Sequence, residues 1–365
     1  MNDIYSWHQE TWRVLRQDNA SLGHALLLKG RQGVGKLVFA RQLAKSLLCE
    51  HPSIGGEACR NCQGCRWFEQ GGHPDFRLIS PEAMAEKKGA AAAVANGGNT
   101  GLDTGAEMES LETGESGSPK LKRKPSKQIR ITQIRAITEF INMSSHQNGH
   151  KVVLIYPAET MNPEAANALL KNLEEPPPRT SFVLVTHRAQ YLLPTIRSRC
   201  CQIAMPAPDP ATATAWLKEQ GVRDPATCLA SAGYAPLAAL EFNDVIYLER
   251  HRAFISQISL PGKFNPSVLA EEMQKSDLPT LVTWLQKWCY DLMSFRTTGK
   301  IRYHLDMLVP IKSLASRINP RALATFLRVL NETLRLAHHP LNARLFLEEM
   351  LFSYVMSVAP QEPTH

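Results

Sequence analysis

Short apolar runs that lack helical periodicity alternate with amphipathic stretches along the first 206 residues. The runs lie at residues 24–28, 76–79, 152–156, 182–186 and 202–205. Between them, apolar residues recur with helical spacing at residues 37–48, 131–143 and 163–173. Because buried parallel strands are continuously apolar, this alternation predicts a mainly parallel α/β sheet flanked by helices.

The pattern changes after the proline-dense segment 206–210, since the apolar positions that follow recur with helical spacing. Short helices are predicted at residues 211–220 and 225–232. Longer helices are predicted at residues 278–295, 307–318, 320–337 and 341–355. We therefore expect a sheet domain at residues 1–206, a small helical domain at 207–246 and an all-α domain at 247–365.

Residues 81–128 interrupt the sheet pattern with a segment of low complexity. The segment holds seven glycines, a run of alanines at 90–93 and almost no large apolar residues. Such a composition cannot bury enough apolar surface to fold, so a disordered insertion is predicted. Its basic end at residues 120–127 is more typical of a solvated linker than of a nucleic-acid contact.

Overall composition adds little to this picture. The 365 residues are 44% apolar and 21% charged, and 41 Lys plus Arg against 34 Asp plus Glu give a formal charge of +7. That charge is compatible with work beside nucleic acid but does not demonstrate it. The first residues lack the pattern of a secretory signal, and no apolar run approaches the ~20 residues of a membrane span. We therefore expect a cytoplasmic location.

The turn after the first apolar run is rich in glycine and leads into a lysine. Residues 30–37 read GRQGVGKL. In this segment Gly30, Gly33, Gly35 and Lys36 match a phosphate-binding loop, whose amides and helix start would cradle phosphates while the lysine faces the outer ones. The next residue, Leu37, offers hydrocarbon where a working loop has a Ser or Thr hydroxyl for Mg²⁺.

A second part of the metal site is also missing. Hydrolysing loops use an acidic residue at the end of a neighbouring strand, but the apolar run here leads into Tyr156. Glu159 follows three residues later, where a carboxylate in the first turn of a helix has an ordinary electrostatic role. Mg²⁺-dependent hydrolysis by this chain alone is therefore not expected, while nucleotide binding without turnover stays open.

Four of the eight cysteines crowd into one short polar segment. Cys49, Cys59, Cys62 and Cys65 supply enough thiolates to close a tetrahedral Zn²⁺ site, and such clustering in a cytosolic chain favours metal over disulfides. Unrelated thiols and an iron–sulfur cluster are the alternatives, although no Cys-Pro follows at the distance typical of ferredoxins. With four protein ligands, the predicted zinc is structural rather than catalytic.

Five segments together resemble the AAA+ clamp-loader family. They are residues 24–27 (HALL), the loop at 30–37, the four-cysteine insert, residues 165–177 (AANALLKNLEEPP) and residues 193–200 (LPTIRSRC). The resemblance implies a P-loop AAA+ domain with a zinc module at 49–65, a helical lid at 207–246 and an all-α C-terminal collar at 247–365. Within the family, Leu37 and Tyr156 resemble the members that do not hydrolyse ATP.

The family's Ser-Arg-Cys motif falls on residues 198–200. The resemblance implies that Arg199 is an arginine finger inserted into the ATP site of a neighbouring motor subunit, a role that suits a planar guanidinium. Arg197 competes for this role, and an ion pair with a local carboxylate is the alternative for Arg199. Glu174 and Glu175 are expected to fix a helix end and a turn rather than to act in catalysis.

The resemblance also implies partners. They are the gamma or tau motor subunits and a delta subunit in a hetero-pentamer, which reaches the sliding clamp and primer-template DNA as a complex. Residues 233–237 lack the sensing arginine of hydrolysing members, which again argues against self-contained hydrolysis. Two rival functions remain. One is an independent AAA+ ATPase that recruits a metal ligand from elsewhere, and the other is a zinc protein that binds DNA through its cysteine module and basic segment.

Overall fold

The computed structural model describes residues 4–17, 23–84, 125–145, 149–337, 339 and 341–358. The chain divides into two units, Met1–Arg31 with Gly35–Pro206 and Gln32–Val34 with Ala207–His365. The main division therefore falls at the start of the proline-dense segment. The further separation of the second unit into a lid and a collar stays a prediction.

A sheet of five strands forms the centre of the first unit, counted over the described residues. The strands are β1 (Ala25–Lys29), β2 (Phe76–Ile79), β3 (Lys151–Ile155), β4 (Thr180–Thr186) and β5 (Cys201–Ala204). They lie in the order β2-β3-β4-β1-β5, and every neighbouring pair is parallel. Each apolar run identified in the sequence forms one of these strands, which confirms the predicted parallel α/β sheet.

Helices cover both faces of this sheet. Within its described residues, the first unit contains α1 (Gln9–Gln17), α2 (Lys36–Leu47), α3 (Gln63–Glu69), α4 (Ile131–Asn142), α5 (Pro163–Glu174) and α6 (Pro194–Arg199). Side chains alternate along a strand, so each face of the sheet has its own apolar core. Leu27 and Phe182 lie in the core with α4 and α5, whereas Leu28 and Val185 lie in the core with α1 and α2.

The parallel arrangement brings the candidate site residues to one edge of the sheet. β1 ends at Lys29 before the glycine-rich loop, and β3 ends at Ile155 before Tyr156. β4 ends at Thr186, directly before His187. Because the carboxyl ends of parallel strands meet at the same edge, the loops that follow them surround a single region.

The two ends of the predicted insertion lie next to each other on the first unit. The amide of Ala83 donates to the carbonyl oxygen of Ser126 over 3.1 Å, and the amide of Ser126 donates to Glu82 Oε2 over 2.9 Å. Hydrogen-bonded structure therefore reaches inside the predicted limits of 81–128 at both ends. Residues 85–124, including the basic residues 120–124, lie outside the described residues, so disorder there stays a prediction.

The second unit consists of helices and contains no strand within its described residues. Its helices are α7 (Pro210–Glu219), α8 (Pro225–Ser231), α9 (Pro236–Glu241), α10 (Val245–Ile258), α11 (Pro266–Met273), α12 (Leu278–Thr298), α13 (Leu308–Ala315), α14 (Pro320–Leu336) and α15 (Ala343–Val358). Many start with proline after an Asp or Asn cap, as at Asp209 and Asn319. Within the described part of the chain, none of the helices is long and apolar enough to cross a membrane.

Two apolar cores are formed by the described residues of the second unit. One core joins α7, α8 and α9, and the other joins α10 through α15. Tyr247 packs against both cores. The largest fully buried side chain of the second core is Trp288, whose indole Nε1 donates to the hydroxyl of Tyr354 over 2.8 Å. This core supports the exposed helix faces described below.

Candidate functional site

The glycine-rich loop leaves β1 and turns directly into α2. Gly30 lies directly against the backbone of Met205. A Cβ on Gly30 would lie 2.3 Å from the carbonyl oxygen of Met205, and only glycine fits at that distance. Gly35 adopts a φ of +97°, in the left-handed region, and caps the helix that begins at Lys36. The loop therefore turns directly into a helix start, as a phosphate-binding loop would, and its binding of phosphate stays a prediction.

Lys36 is buried, with 2% of its surface exposed. Its Nζ donates to the carbonyl oxygen of Gly30 over 2.8 Å and to the carbonyl oxygen of Arg31. Burial lowers the pKa of Lys36 to about 8, and the negative charge of Glu159 opposes this shift. The ammonium group that would face the outer phosphates is therefore engaged by its own loop.

The N-terminal segment of the chain covers the loop at Gly35. A Cβ on Gly35 would lie 2.6 Å from Tyr5 Cδ2 and 3.5 Å from His8 Cε1. His8 is fully buried, and neither of its ring nitrogens has a hydrogen-bond partner among the described residues. Burial and the charge of Lys36 lower the pKa of His8 to about 4, so the ring is neutral at pH 7. Sequence reasoning did not assign either residue to this loop.

Apolar packing occupies both positions where a metal-binding side chain is missing. Leu37 and Tyr156 are half-buried and pack against the core that contains α2. The nearby carboxylate belongs to Glu159, in the short 3-10 turn Ala158–Thr160. Its Oε1 accepts from the amide of His187 over 3.0 Å, and its Oε2 is buried without a partner among the described residues. The interpretation of Glu159 as a first-turn carboxylate was therefore incomplete, because it also links the ends of β3 and β4.

Gly33 belongs with Gln32–Val34 to the second unit. Within that unit, its carbonyl oxygen accepts from the amide of Leu237 over 2.9 Å. A Cβ on Gly33 would lie 3.0 Å from the Cβ of Ala238. The segment at residues 233–237, which lacks the sensing arginine, therefore donates a backbone hydrogen bond to Gly33.

Arg199 ends α6 and is exposed at the surface of the first unit. Its Nη2 lies 2.5 Å from Glu174 Oε1, and its Nη1 donates to the carbonyl oxygen of Thr195 over 3.0 Å. The side chain of Arg199 keeps 35% of its surface exposed. A local carboxylate does pair with Arg199, as the sequence-based alternative anticipated, yet the guanidinium remains accessible.

Arg197, the competing arginine, is less accessible. It is half-buried, and its Nε is buried without a hydrogen-bond partner among the described residues. Its carbonyl oxygen accepts from Gln202 Nε2 over 3.1 Å, which ties this part of α6 to β5. Of the two arginines, Arg199 presents its guanidinium more openly to another chain.

The Leu-Glu-Glu-Pro-Pro segment ends a helix. Glu174 is the last residue of α5, and Glu175 follows as its C-cap, with an amide that donates to the carbonyl oxygen of Lys171 over 3.1 Å. The sequence analysis anticipated a carboxylate partner for Arg199 but did not identify it as Glu174. The two residues are 25 positions apart, so no helical spacing signals their contact.

The four clustered cysteines come together around the end of α2 and the start of α3. Their sulfur atoms all lie within 4.8 Å of one another, with 3.8 Å between Cys49 and Cys62. The sulfurs of Cys59 and Cys65 are 4.0 Å apart. Four sulfurs at ~2.3 Å from a central ion are about 3.8 Å apart in a tetrahedron. The four side chains therefore fit a single tetrahedral metal ion.

Backbone amides stabilise the sulfur atoms of this cluster. The amides of Cys59, Cys62 and Cys65 each donate to the sulfur of the preceding cysteine, over 3.2, 3.4 and 3.4 Å. Amide donors from Asn61 and Cys62 lower the pKa of Cys59 to about 6. The thiolate form that metals require is therefore favoured at Cys59, whereas burial raises the pKa of Cys49 and Cys65 in the absence of an ion. The group of four cysteines could hold a metal ion.

Two family models match this chain. One is described as "DNA polymerase III, delta subunit" and matches residues 7–209, and the other is described as "DNA polymerase III, delta subunit, C terminal" and matches residues 247–354. A Pseudomonas aeruginosa protein named DNA polymerase III subunit delta' is 33% identical over 304 residues, 82% of this chain and 80% of that protein. The Escherichia coli protein of the same name is 27% identical over 310 residues, 83% of this chain and 80% of that protein.

A solved structure is also similar. It is a DNA polymerase III gamma subunit-related protein of Thermotoga maritima, which is 18% identical in sequence. The alignment covers 96% of this chain and 99% of that one, with a TM-score of 0.43.

Proposed function

Because the chain belongs to the DNA polymerase III delta' family, we propose that it works in the clamp loader without hydrolysing ATP itself. It offers Arg199 to the ATP site of a neighbouring motor subunit and helps hold the assembly that loads the sliding clamp on primed DNA. The motor subunits, gamma or tau, and a delta subunit complete the proposed hetero-pentamer. This role belongs in the bacterial cytoplasm.

One observation carries the proposal. A glycine-rich loop that runs directly into a helix is combined with a hydrocarbon side chain at position 37 and a phenol at position 156, the two positions where a hydrolysing loop has oxygen ligands for Mg²⁺. Leu37 and Tyr156 pack against the core instead, and Lys36 bonds the carbonyl oxygens of its own loop. These contacts support a subunit that keeps the fold of an ATPase but lacks a site for the metal ion.

ATP hydrolysis by purified protein tests this proposal. We expect no phosphate release by the protein alone, with or without primed DNA, and DNA-stimulated release once the motor and delta subunits of the same organism are added. The variant Leu37→Thr regains a hydroxyl but should also be inactive alone, since position 156 still lacks an acid. Turnover by the isolated wild-type protein that disappears in Lys36→Ala would contradict the proposal and exclude a contaminating ATPase.

The proposed role of Arg199 agrees with its hydrogen bonds. The guanidinium has five N–H donors, of which two are used on Glu174 and Thr195. Among the described residues the three others have no hydrogen-bond partner, so they are available to oxygen atoms of a phosphate group on another chain. A planar cation in this position stabilises the negative charge of the transferring phosphoryl group.

We propose zinc as the ion held by the four cysteines, in a structural role. Four thiolates are the ligand set of closed zinc sites, and a tetrahedral ion with four protein ligands has no position for a reacting water. The site lies between α2, which follows the phosphate loop, and α3. A bound zinc ion would therefore connect the start of α3 to the end of α2, the helix that follows the phosphate loop.

The independent ATPase is the alternative with one observation in its favour. Glu159 Oε2 is buried without a partner among the described residues, and the charge of this carboxylate acts on Lys36. A carboxylate there could bind Mg²⁺ in place of the missing strand-end acid. If the isolated wild-type chain turned over ATP and Glu159→Gln abolished that turnover, this alternative would replace the proposal.

The proposed partners need a contact surface on the second unit. Leu345, Phe352 and Met356 of α15 are 61%, 49% and 78% exposed. Their separations of seven and four residues put all three on one face of the helix. We propose that this face is buried against the other subunits, since removal of apolar surface from water drives association.

Replacing Phe352 and Met356 together by serine should weaken binding to the rest of the complex about tenfold or more. Each side chain contributes about 1 kcal/mol if its exposed apolar surface becomes buried, and 1.4 kcal/mol is a factor of ten in affinity. Affinity is measured by surface plasmon resonance, with melting temperature as a folding check. Val268→Ser on α11, where Val268 is 52% exposed, is the matched control. Equal affinities for the three proteins would exclude this face as the interface.

A further inference from the structure

Glu174 and Arg199 connect the carboxyl-terminal ends of two helices. Glu174 is the last residue of α5, Arg199 is the last residue of α6, and the two charged groups meet over 2.5 Å. Thr195, one turn earlier on α6, provides a carbonyl oxygen as a second acceptor for Arg199. The guanidinium is therefore held at both of its terminal nitrogens by groups on two different helices.

Stability alone does not account for the place of Glu174. A carboxylate at the carboxyl-terminal end of a helix is repelled by the partial negative charge of the helix dipole. The side chain of Glu174 is 47% exposed and that of Arg199 is 35% exposed, and ion pairs this open to water add little to folding stability. The ion pair therefore matters for the orientation of the guanidinium of Arg199 rather than for folding stability.

We propose that Glu174 is a positioning residue for Arg199, which it holds in the orientation that enters the neighbouring ATP site. This inference rests on the proposed function of Arg199 as a finger in trans. An unrestrained arginine side chain populates many rotamers, and ordering them on insertion costs free energy in the assembled site. The contacts with Glu174 and Thr195 order the side chain before the subunits meet, which is the preorganisation that charge stabilisation requires.

The same geometry leaves the guanidinium able to act while it is held. Nη1 and Nη2 each carry two N–H groups, and one on each is directed to Thr195 or Glu174. The second N–H of each nitrogen and the Nε–H are the donors that remain for phosphate oxygens. Glu174 therefore need not release Arg199 for the finger to reach a phosphate.

ATP hydrolysis by the complete complex on primed DNA tests this inference. We expect Glu174→Ala to lower kcat by about three- to tenfold at an unchanged KM for ATP, since the substrate site itself belongs to the partner. Glu174→Gln should recover most of the rate, because an amide oxygen still accepts a hydrogen bond from the guanidinium. Glu175→Ala is the matched control, as this neighbouring carboxylate is exposed and has no ion pair among those found in the described residues.

Two further variants show whether Glu174 acts through Arg199. In a background of Arg199→Ala, the change Glu174→Ala should cause no additional loss, because residues that work as a unit are not additive. The melting temperature of each subunit and the stoichiometry of the complex should equal those of wild type. A loss of assembly that matches the loss of rate would mean a structural role for Glu174 and would overturn the inference.

The outcomes separate this inference from the proposed function. If Arg199→Ala slows hydrolysis but Glu174→Ala does not, the positioning role is wrong and the trans-acting finger stands. If Arg199→Ala has no effect, the finger is wrong and the positioning role falls with it. Faster hydrolysis in Glu174→Ala would also overturn the inference, because the ion pair would then restrain the finger instead of aiming it.

Discussion

Replacing Arg199 by alanine should slow ATP hydrolysis at the motor site that it reaches by about 10³-fold. Arginine fingers contribute roughly 10³ to 10⁵ in rate, because their charge stabilises the phosphoryl group as it is transferred. The change should leave folding and assembly intact, since the contacts of Arg199 with the described residues are a surface ion pair and one hydrogen bond to a carbonyl oxygen. A phosphate-sensor measurement of the first turnover distinguishes the affected site from the other ATP sites of the complex.

Two variants sharpen this experiment. Arg199→Lys keeps the positive charge but not the planar fork of donors, and we expect it to restore little of the rate. Arg197→Ala changes the neighbouring, half-buried arginine and should leave the first turnover near that of wild type. If Arg199→Ala released phosphate in the first turnover as wild type does, or if Arg197→Ala lost that release instead, Arg199 would not be the finger.

Replacing Cys59 or Cys62 by serine should remove the metal ion and destabilise the first unit. Structural zinc contributes on the order of 10 kcal/mol to small units that fold around it, and several kcal/mol of this should be lost here, where the site also joins α2 to α3. Cys62 also caps α3, with its sulfur accepting from the amide of Cys65. Metal content by elemental analysis and the melting temperature are the two measurements.

Cys201→Ser is the matched control for the cysteine variants. Cys201 is exposed on β5 and lies outside the group of four, so its replacement should change neither metal content nor melting temperature. Wild-type zinc content and melting in Cys59→Ser would exclude a structural zinc site. Iron instead of zinc in the wild-type protein, accompanied by visible absorption, would favour the iron–sulfur alternative.

The central strands β1, β3 and β4 were predictable because their burial is encoded locally. Parallel strands covered on both faces must be apolar at every position, and residues 152–155 of β3 are completely buried. The four-cysteine group was equally local, since three of its members lie within seven residues of sequence. The glycine-rich turn before α2 was recognisable because Gly30 and Gly35 occupy positions that exclude other residues, through a close carbonyl oxygen and a left-handed φ.

The contacts that the sequence did not reveal are those between distant segments. The segment that contains Tyr5 and His8 lies on Gly35, and the sequence analysis predicted neither this contact nor α1, which follows it. Glu174 was interpreted as part of a helix end, and its ion pair depends on how α5 and α6 pack. These contacts depend on how distant segments pack against each other. The spacing of apolar residues along the chain, with a period of 2 or 3.6 residues, carries no information about that packing.

The hydrogen bond between Ala83 and Ser126 holds together the two ends of the segment that the sequence predicts to be a disordered insertion. Doubling the length of a flexible loop costs only about 0.6 kcal/mol in closure entropy. β2 ends at Ile79 and α4 begins at Ile131, so residues can be added or removed between the bonded ends without moving either face of the sheet. We therefore expect a fluorescent reporter inserted between these two ends to leave the glycine-rich loop at residues 30–37 in place.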